Sequence, residues 1–335
     1  MTVADRTLPL SLGLAGLAVA CVLLACLIGT APLGVGELAA ALVGAGDPAH
    51  RVIVWEIRLP RALAALLVGV ALGASGAALQ GLLRNPLAEP GVLGVSAMAS
   101  LAACVAIYWG LVAQFAPALP LAAIGGALVA TVLLVLAAAR ARTVVALLLV
   151  GVGLSSFAGA LMSLLLNFAP TPFSLADMVT WAMGSVANRS LDDIALAAPF
   201  LLAGLALLAL AAPALAVLGA GEEVAASMGV DVRRMRWLVV AGSGLATGAA
   251  VALAGAVGFV GIVAPHLVRP LTGQDPGRAL VPSALLGGVI LVLADLLVRL
   301  VPSDQELKLG VVAALIGAPA FVAIALRHGR REEPS

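Results

Sequence analysis

The sequence predicts an all-α protein that crosses a membrane about ten times, and three observations carry that prediction. Only 10% of the 335 residues are charged while 63% are hydrophobic, and the mean hydropathy is +1.17; soluble domains average roughly a quarter charged residues. Apolar runs close to the roughly 20 residues that cross about 30 Å of hydrocarbon as a helix recur along the whole chain. The runs are rich in Gly and Ala, and aromatics make up 4% of the chain. Lipid offers backbone groups no partners, so such runs must be helical, and small residues let helices approach closely. The two-residue alternation of a membrane barrel is missing.

The first run, 8–29, follows Asp5 and Arg6. A cleaved leader would look similar, but the spans that follow favour a first transmembrane helix. Cys21, Cys26 and Cys104 sit in apolar runs with no CxxC spacing, so they read as small core residues. The second span, 61–83, holds "GASG" at 73–76, a stripe of small residues suited to helix packing. Ser75 and His266 together suggest a membrane protease, but His266 follows Pro265 and lacks the small neighbours that close approach of a His helix needs, and packing is the better reading. The stretch 84–91 gathers Arg84, Asn85, Glu89 and two prolines between apolar runs. Proline continues neither helix, so this is a turn whose polarity faces water or another protein.

Spans at 92–112, 119–139, 143–168 and 192–218 come next, and then the longest polar stretch, 219–236. There Glu222 and Glu223 lead a short amphipathic helix, Gly229 stops it, and Asp231 caps the next helix ahead of Arg233, Arg234 and Arg236. Ala225, Ala226, Met228 and Val230 are expected to be exposed there as a surface for a soluble protein. The last spans are 237–257, 259–271, 279–300 and 308–327. "GFVG" at 258–261 marks a tight turn or broken helix, which belongs at a cavity and not against lipid. The chain reads as one membrane-embedded domain over 1–335.

Orientation follows from the basic residues. With both termini cytoplasmic, the inner side receives Arg6, Arg84, Arg140, Arg142, Arg233, Arg234, Arg236, Arg269, Arg278, Arg327, Arg330 and Arg331, leaving six basic residues outside. Arg58, Arg61 and Arg299 then break the trend at the outer ends of the second and ninth spans, which suggests docking of an acidic partner. Asp295 is the acid placed deepest in a span, but Arg299 lies four residues on and can pair with it. That argues against the alternative of an ion-coupled carrier working alone. The only Lys is Lys308, so a Walker A phosphate loop is impossible and any ATP chemistry must come from another polypeptide. One Tyr, three scattered His and no carboxylate cluster leave nothing to ligate a metal, and no catalytic residue or nucleic-acid partner is expected.

"IRLPRALAALLVGVALGASGAALQGLLRNPLAEPGVLGVS" at 57–96, "GEEVAASMGVDV" at 221–232, "ALAGAVGFVGIVAPHLVRPL" at 252–271 and "ELKLGVVAALIGAPAF" at 306–321 closely resemble the FecCD permeases, membrane subunits of type II ABC importers for vitamin B12, haem and ferric siderophores. The resemblance implies the type II permease fold in the bacterial inner membrane and a homodimer. Two cytoplasmic ATPase subunits using ATP and Mg would sit beneath it, with a periplasmic binding protein above. It assigns binding-protein docking to Arg58, Arg61 and Arg299, and a cytoplasmic gate to Asn85, Leu87, Val144 and Val145, the last two where relatives carry hydroxyl residues. It assigns ATPase coupling to Glu222, Glu223, Ala225, Met228, Gly229, Val230 and Arg233 within 219–236. Lys308 stands where many relatives have Pro. The cargo stays open among iron chelates, haem and cobalamin, with iron chelates favoured.

Overall fold

A computed structural model of the chain describes residues 3–140, 144–219, 221–301 and 307–329; within these, the side chains of 3–6, 144, 320, 321 and 323–329 lie outside the description. Among the described residues every regular element is helical. They are α1 (Val3–Leu27), α2 (Val35–Leu42), α3 (Pro48–Val52), α4 (Leu59–Leu83), α5 (Val95–Tyr108), α6 (Leu111–Gln114), α7 (Ala118–Arg140), α8 (Val144–Asn167), α9 (Pro172–Ala182), α10 (Leu191–Leu218), α11 (Glu222–Ser227), α12 (Val232–Ala254), α13 (Val260–Val268), α14 (Pro276–Leu300) and α15 (Leu309–Gly329). Seven helices are long and apolar enough to cross a membrane, and α5 and Leu309–Pro319 are shorter apolar helices.

The ten expected spans each find a helix, with three instructive differences. The second span does not start at 61: α3, a π-helical stretch Ile53–Arg58 and α4 run on as one helix over Pro48–Leu83. Asp47 caps its start by accepting the Ala49 N–H, with Pro48 at the first helical position. Arg58 therefore lies inside a helix and not at its end. The third span is divided into a 3-10 turn Pro90–Leu93, α5 and the short α6. The eighth is α13, nine residues long and continued by a 3-10 turn Arg269–Thr272; at about 1.5 Å per residue it covers only half a bilayer.

The centre of the bundle is α4 and α12, whose apolar windows are 78% and 89% buried; α8 is 17% buried and α1 28%. Glycine makes the central contacts possible. A Cβ on Gly73 would come within 2.2 Å of the Ser283 carbonyl, and one on Gly69 within 2.2 Å of the Gly287 carbonyl, so α4 and α14 touch backbone to backbone. Gly76 stands in the same relation to Gly261 of α13, at 1.9 Å. The "GASG" stripe is thus packing, as its composition implies. Cys21, Cys26 and Cys104 are buried and unbridged.

Candidate functional site

Three places bring chemistry-bearing residues together: a charged knot at the Arg58 end of the bundle, a junction of helix breaks inside it, and a knuckle at the opposite end.

At the knot, the carboxylate of Asp295, 1% exposed, accepts from two arginines. Arg61 donates through Nε at 2.9 and 3.1 Å and through Nη2 at 2.7 Å, and Arg299 donates through Nε at 2.8 Å and through Nη2. The Arg299–Asp295 pair follows from its four-residue spacing; Arg61 joins from 234 residues away. Arg299 also donates to the Ala25 carbonyl at 3.0 Å. Arg58, itself buried, donates to the carbonyls of Cys26 at 2.8 Å, Leu27 at 2.9 Å and Ala31. It closes the C-terminal end of α1, where orphan carbonyls and the helix dipole favour a cation. The three arginines are brought together, and each is engaged inward. Three guanidiniums against one carboxylate leave an excess of two positive charges within the knot itself, while Glu37, Asp47 and Glu56 lie in or at the start of the adjoining helices of the same end.

The junction forms where α12 stops. Gly255 takes a positive φ of 67°, and the chain stays non-helical until Phe259, which is itself left-handed at φ 67°. A side chain at Gly255 would meet the Trp181 carbonyl and one at Gly184 the Ala256 carbonyl; Gly310, at the start of α15, abuts both Met183 and Ala256. Ser185 N–H donates to the Ala254 carbonyl at 2.7 Å. The end of α9, the break after α12 and the start of α15 therefore converge on one point. "GFVG" marks this break, although the break itself begins at Gly255.

The loop after α4 is fastened to the same junction. Arg84 adopts the left-handed conformation, and the Asn85 N–H returns to the Gln80 carbonyl, so α4 ends three residues before the first proline. Asn85 Oδ1 accepts the Leu87 N–H at 2.9 Å, an Asx turn that fixes the loop. Glu89 Oε2 accepts the Phe259 N–H at 3.1 Å, and Gln80 Nε2 donates to the Gly261 carbonyl at 3.2 Å. A cavity of about 170 Å³ lies between them, lined by Leu72, Glu89, Ser96 and 256–259. Burial pushes the Glu89 carboxyl above its ordinary range, against the smaller opposing pull of the Phe259 N–H. Of the expected gate residues, Asn85 is exposed, Leu87 half-buried and Val145 63% exposed. The side chain of Val144 lies outside the described residues.

At the knuckle, α11 ends as its sequence predicts. Gly229 has φ 82°, its N–H reaches the Ala226 carbonyl, and the Val230 N–H reaches the Ala225 carbonyl, which is a Schellman turn. Asp231 Oδ1 then accepts the Arg234 N–H at 2.9 Å and starts α12. Ala225 is fully buried and Val230 half-buried, contrary to expectation, because the inner face of α11 rests on the α10–α12 hairpin. Val224, Ala226 and Met228 are the exposed apolar residues, with Glu223 beside them. Glu222 faces Arg236 at 3.5 Å and Arg233 donates to the Ala139 carbonyl at 3.1 Å. Among the described residues no group of three His, Cys, Asp or Glu could hold a metal ion.

Residues 17–327 match the FecCD transport family. The chain is 42% identical over 296 residues to the uncharacterized ABC transporter permease protein YvrB of Bacillus subtilis, covering 86% of this chain and 82% of that one. It is 42% identical over 299 residues to the vitamin B12 import system permease protein BtuC of Vibrio cholerae, covering 88% of each. Among solved structures it resembles an inward-facing conformation of a proposed metal-chelate type ABC transporter, with a TM-score of 0.84, 31% identity, and 95% and 98% of the two chains covered.

Proposed function

The chain belongs to the FecCD transport family and is a permease subunit of an ABC importer of the vitamin B12 and metal-chelate type; from that premise we propose that it carries an iron chelate, haem or a corrinoid into the cytoplasm across the bacterial inner membrane. It does so as a single permease domain in a homodimer, with α8 and α15 on the faces left open in the monomer. ATP, with Mg, is bound and hydrolysed by two cytoplasmic subunits and not by this chain.

The observation that carries the reading is the α11 knuckle. A six-residue helix closed on both sides by local turns, with Val224, Ala226 and Met228 exposed, has no use inside a bundle but suits a lever pushed by another protein. Glu222, through Arg236, together with Gly229 and Arg233 holds that lever in place, Glu223 stands on its exposed face, and Ala225 and Val230 fasten it to the hairpin. Pressure there reaches the end of α12, where the break and the 84–94 loop meet. Asn85, Leu87, Val144 and Val145 gate the path beside it, the two valines by an apolar contact.

At the opposite end, the excess charge of Arg58, Arg61 and Arg299 attracts an acidic binding protein. Because all three are also engaged inward, they act through field and encounter rate more than through freely swinging side chains. Association should therefore weaken steeply as salt rises.

The test is reconstitution with the cognate ATPase subunit and binding protein in liposomes, screened with haem, ferric siderophores and cobalamin. We expect one ligand to stimulate ATP turnover and to accumulate inside. Transport that needs no ATPase subunit, or none of these ligands moved by an active complex, refutes the proposal.

A further inference from the structure

Beside α9, and adjoining the junction through Trp181 and Ser185, lies a cavity of about 520 Å³ walled also by residues of α5, α6 and the start of α7. Its polar lining is Ser174, Asp177, Thr180, Ser185 and Arg189, with Trp181 as its apolar wall. Arg189 occupies the stretch between α9 and α10. Its guanidinium carbon stands 5.4 Å from the centre of the Trp181 ring. This cation–π contact holds the guanidinium against the ring without using its N–H donors.

Arg189 differs from Arg58, Arg61 and Arg299 in what it lacks; Arg269 shares the lack, its Nε also buried without an acceptor, but does not line this cavity. Among the described residues Arg189 makes neither a hydrogen bond nor an ion pair, and its Nε is buried without an acceptor. The other inward-turned arginines, Arg58, Arg61 and Arg299, are bonded to carbonyls or to a carboxylate. Asp193, the carboxylate whose charge reaches Arg189, is used by the Ser190 N–H and hydroxyl at the start of α10. Burial lowers the readiness of Arg189 to hold its proton, with Asp193 acting weakly the other way. The indole N–H of Trp181 is likewise buried without an acceptor. A half-buried cation and a buried donor without acceptors are costly, and an arriving anion removes that cost.

We propose that this cavity is a binding site for a carboxylate- or phosphate-bearing group, anchored by the Arg189 fork and assisted by the hydroxyls of Thr180 and Ser185. Ser185 is suited to this: its oxygen accepts the Ala187 N–H at 3.1 Å, which leaves its own proton to donate. Asp177, on the same wall, weakens the pull on an anion without cancelling it. Such a group could belong to a lipid headgroup or to a soluble molecule, and the inference holds whichever chelate is carried.

The test is ligand-observed NMR on the full chain in detergent stripped of phospholipid, with succinate and inorganic phosphate as probes. Saturable binding is expected. Arg189→Gln should weaken it about tenfold or more, the loss that follows removal of a charge-assisted hydrogen bond. Asp177→Asn should tighten it, a change of the opposite sign that misfolding cannot produce, and Arg189→Lys should fall between wild type and Arg189→Gln. If phosphatidylglycerol displaces succinate, the natural occupant is a lipid headgroup; if succinate binds equally with lipid present, it is a soluble anion. Absence of saturable binding, or binding that Arg189→Gln leaves unchanged, overturns the proposal.

Discussion

Replacing Asp295 by asparagine tests whether the charged knot holds α1, α4 and α14 together. The wild-type carboxylate accepts five hydrogen bonds from two arginines while only 1% exposed. The substituted amide would keep one carbonyl acceptor but turn an N–H donor toward one guanidinium and leave two cations facing each other. Breaking a buried pair by removing one partner costs roughly 3–5 kcal/mol. The arginine side chains keep 15% and 10% of their exposure, and Arg299 keeps the Ala25 carbonyl, so the lower end, about 3 kcal/mol, is expected. At about 2 °C per kcal/mol for a long chain this is a fall in Tm of roughly 6 °C, read by thermal unfolding of the purified chain in detergent. Arg61→Gln in the Asp295→Asn background should then restore part of the loss, because it removes an uncompensated cation. A Tm within about 1 °C of wild type, or single effects that add within about 0.5 kcal/mol, would refute the argument.

Three further outcomes follow from the same geometry. Gly76→Ala should abolish transport and lower folded yield, since its Cβ would stand 1.9 Å from the Gly261 carbonyl, whereas Gly125→Ala, which meets nothing within 4 Å, should be neutral or slightly stabilising; equal behaviour of the two in a transport and yield assay would count against the packing account. Glu89→Gln should alter the pH dependence of stability. The folded state raises this carboxyl above its ordinary 4.5, so its stabilising contribution is full below that value and lost as pH rises through the folded one. The amide should match wild type near pH 4, exceed it in Tm near pH 7, and flatten the curve between; parallel curves would show that burial does not dominate at Glu89. Met228→Asp, at a side chain 67% exposed, should leave Tm unchanged but weaken association with the ATPase subunit by about tenfold to a hundredfold, from about 1.5–3 kcal/mol of lost apolar burial, read as lost co-purification; undiminished co-purification would remove Met228 from the contact.

The membrane class, a helix at each expected apolar run and the α11 knuckle are legible in the sequence because each rests on local chemistry: run length, an N-cap aspartate, a glycine at a left-handed position. The helices between spans escape a reading by run length although they carry signals. Asp47-Pro48 and Thr171-Pro172 are both a capping residue followed by proline at the first helical position, and both start helices. A search for spans passes over them because α2, α3 and α9 are too short to cross a bilayer. Exposure on α11 is only half legible, since which face of a short helix rests on its neighbours depends on the α10–α12 hairpin. The partnerships of Arg61 with Asp295 and of Glu89 with Phe259, 234 and 170 residues apart, depend on packing that no local pattern encodes.

The long-range bonds also explain how a push at one end could be felt along the path. α12 begins at the Asp231 cap, directly after the exposed knuckle, and ends at Gly255, where three helix breaks meet. A helix 89% buried over its apolar window cannot bend freely against its neighbours, so displacement at Asp231 is transmitted along it. At Gly255 the neighbours are no longer helical, and a chain held by single bonds such as Ser185 to Ala254 and Glu89 to Phe259 can change partners at modest cost. The Glu89 bond ties that change to the 84–94 loop, which carries Asn85 and Leu87. Stiffness between the knuckle and the junction, and looseness at the junction itself, are both needed if a push at α11 is to move the 84–94 loop, as the proposed function requires.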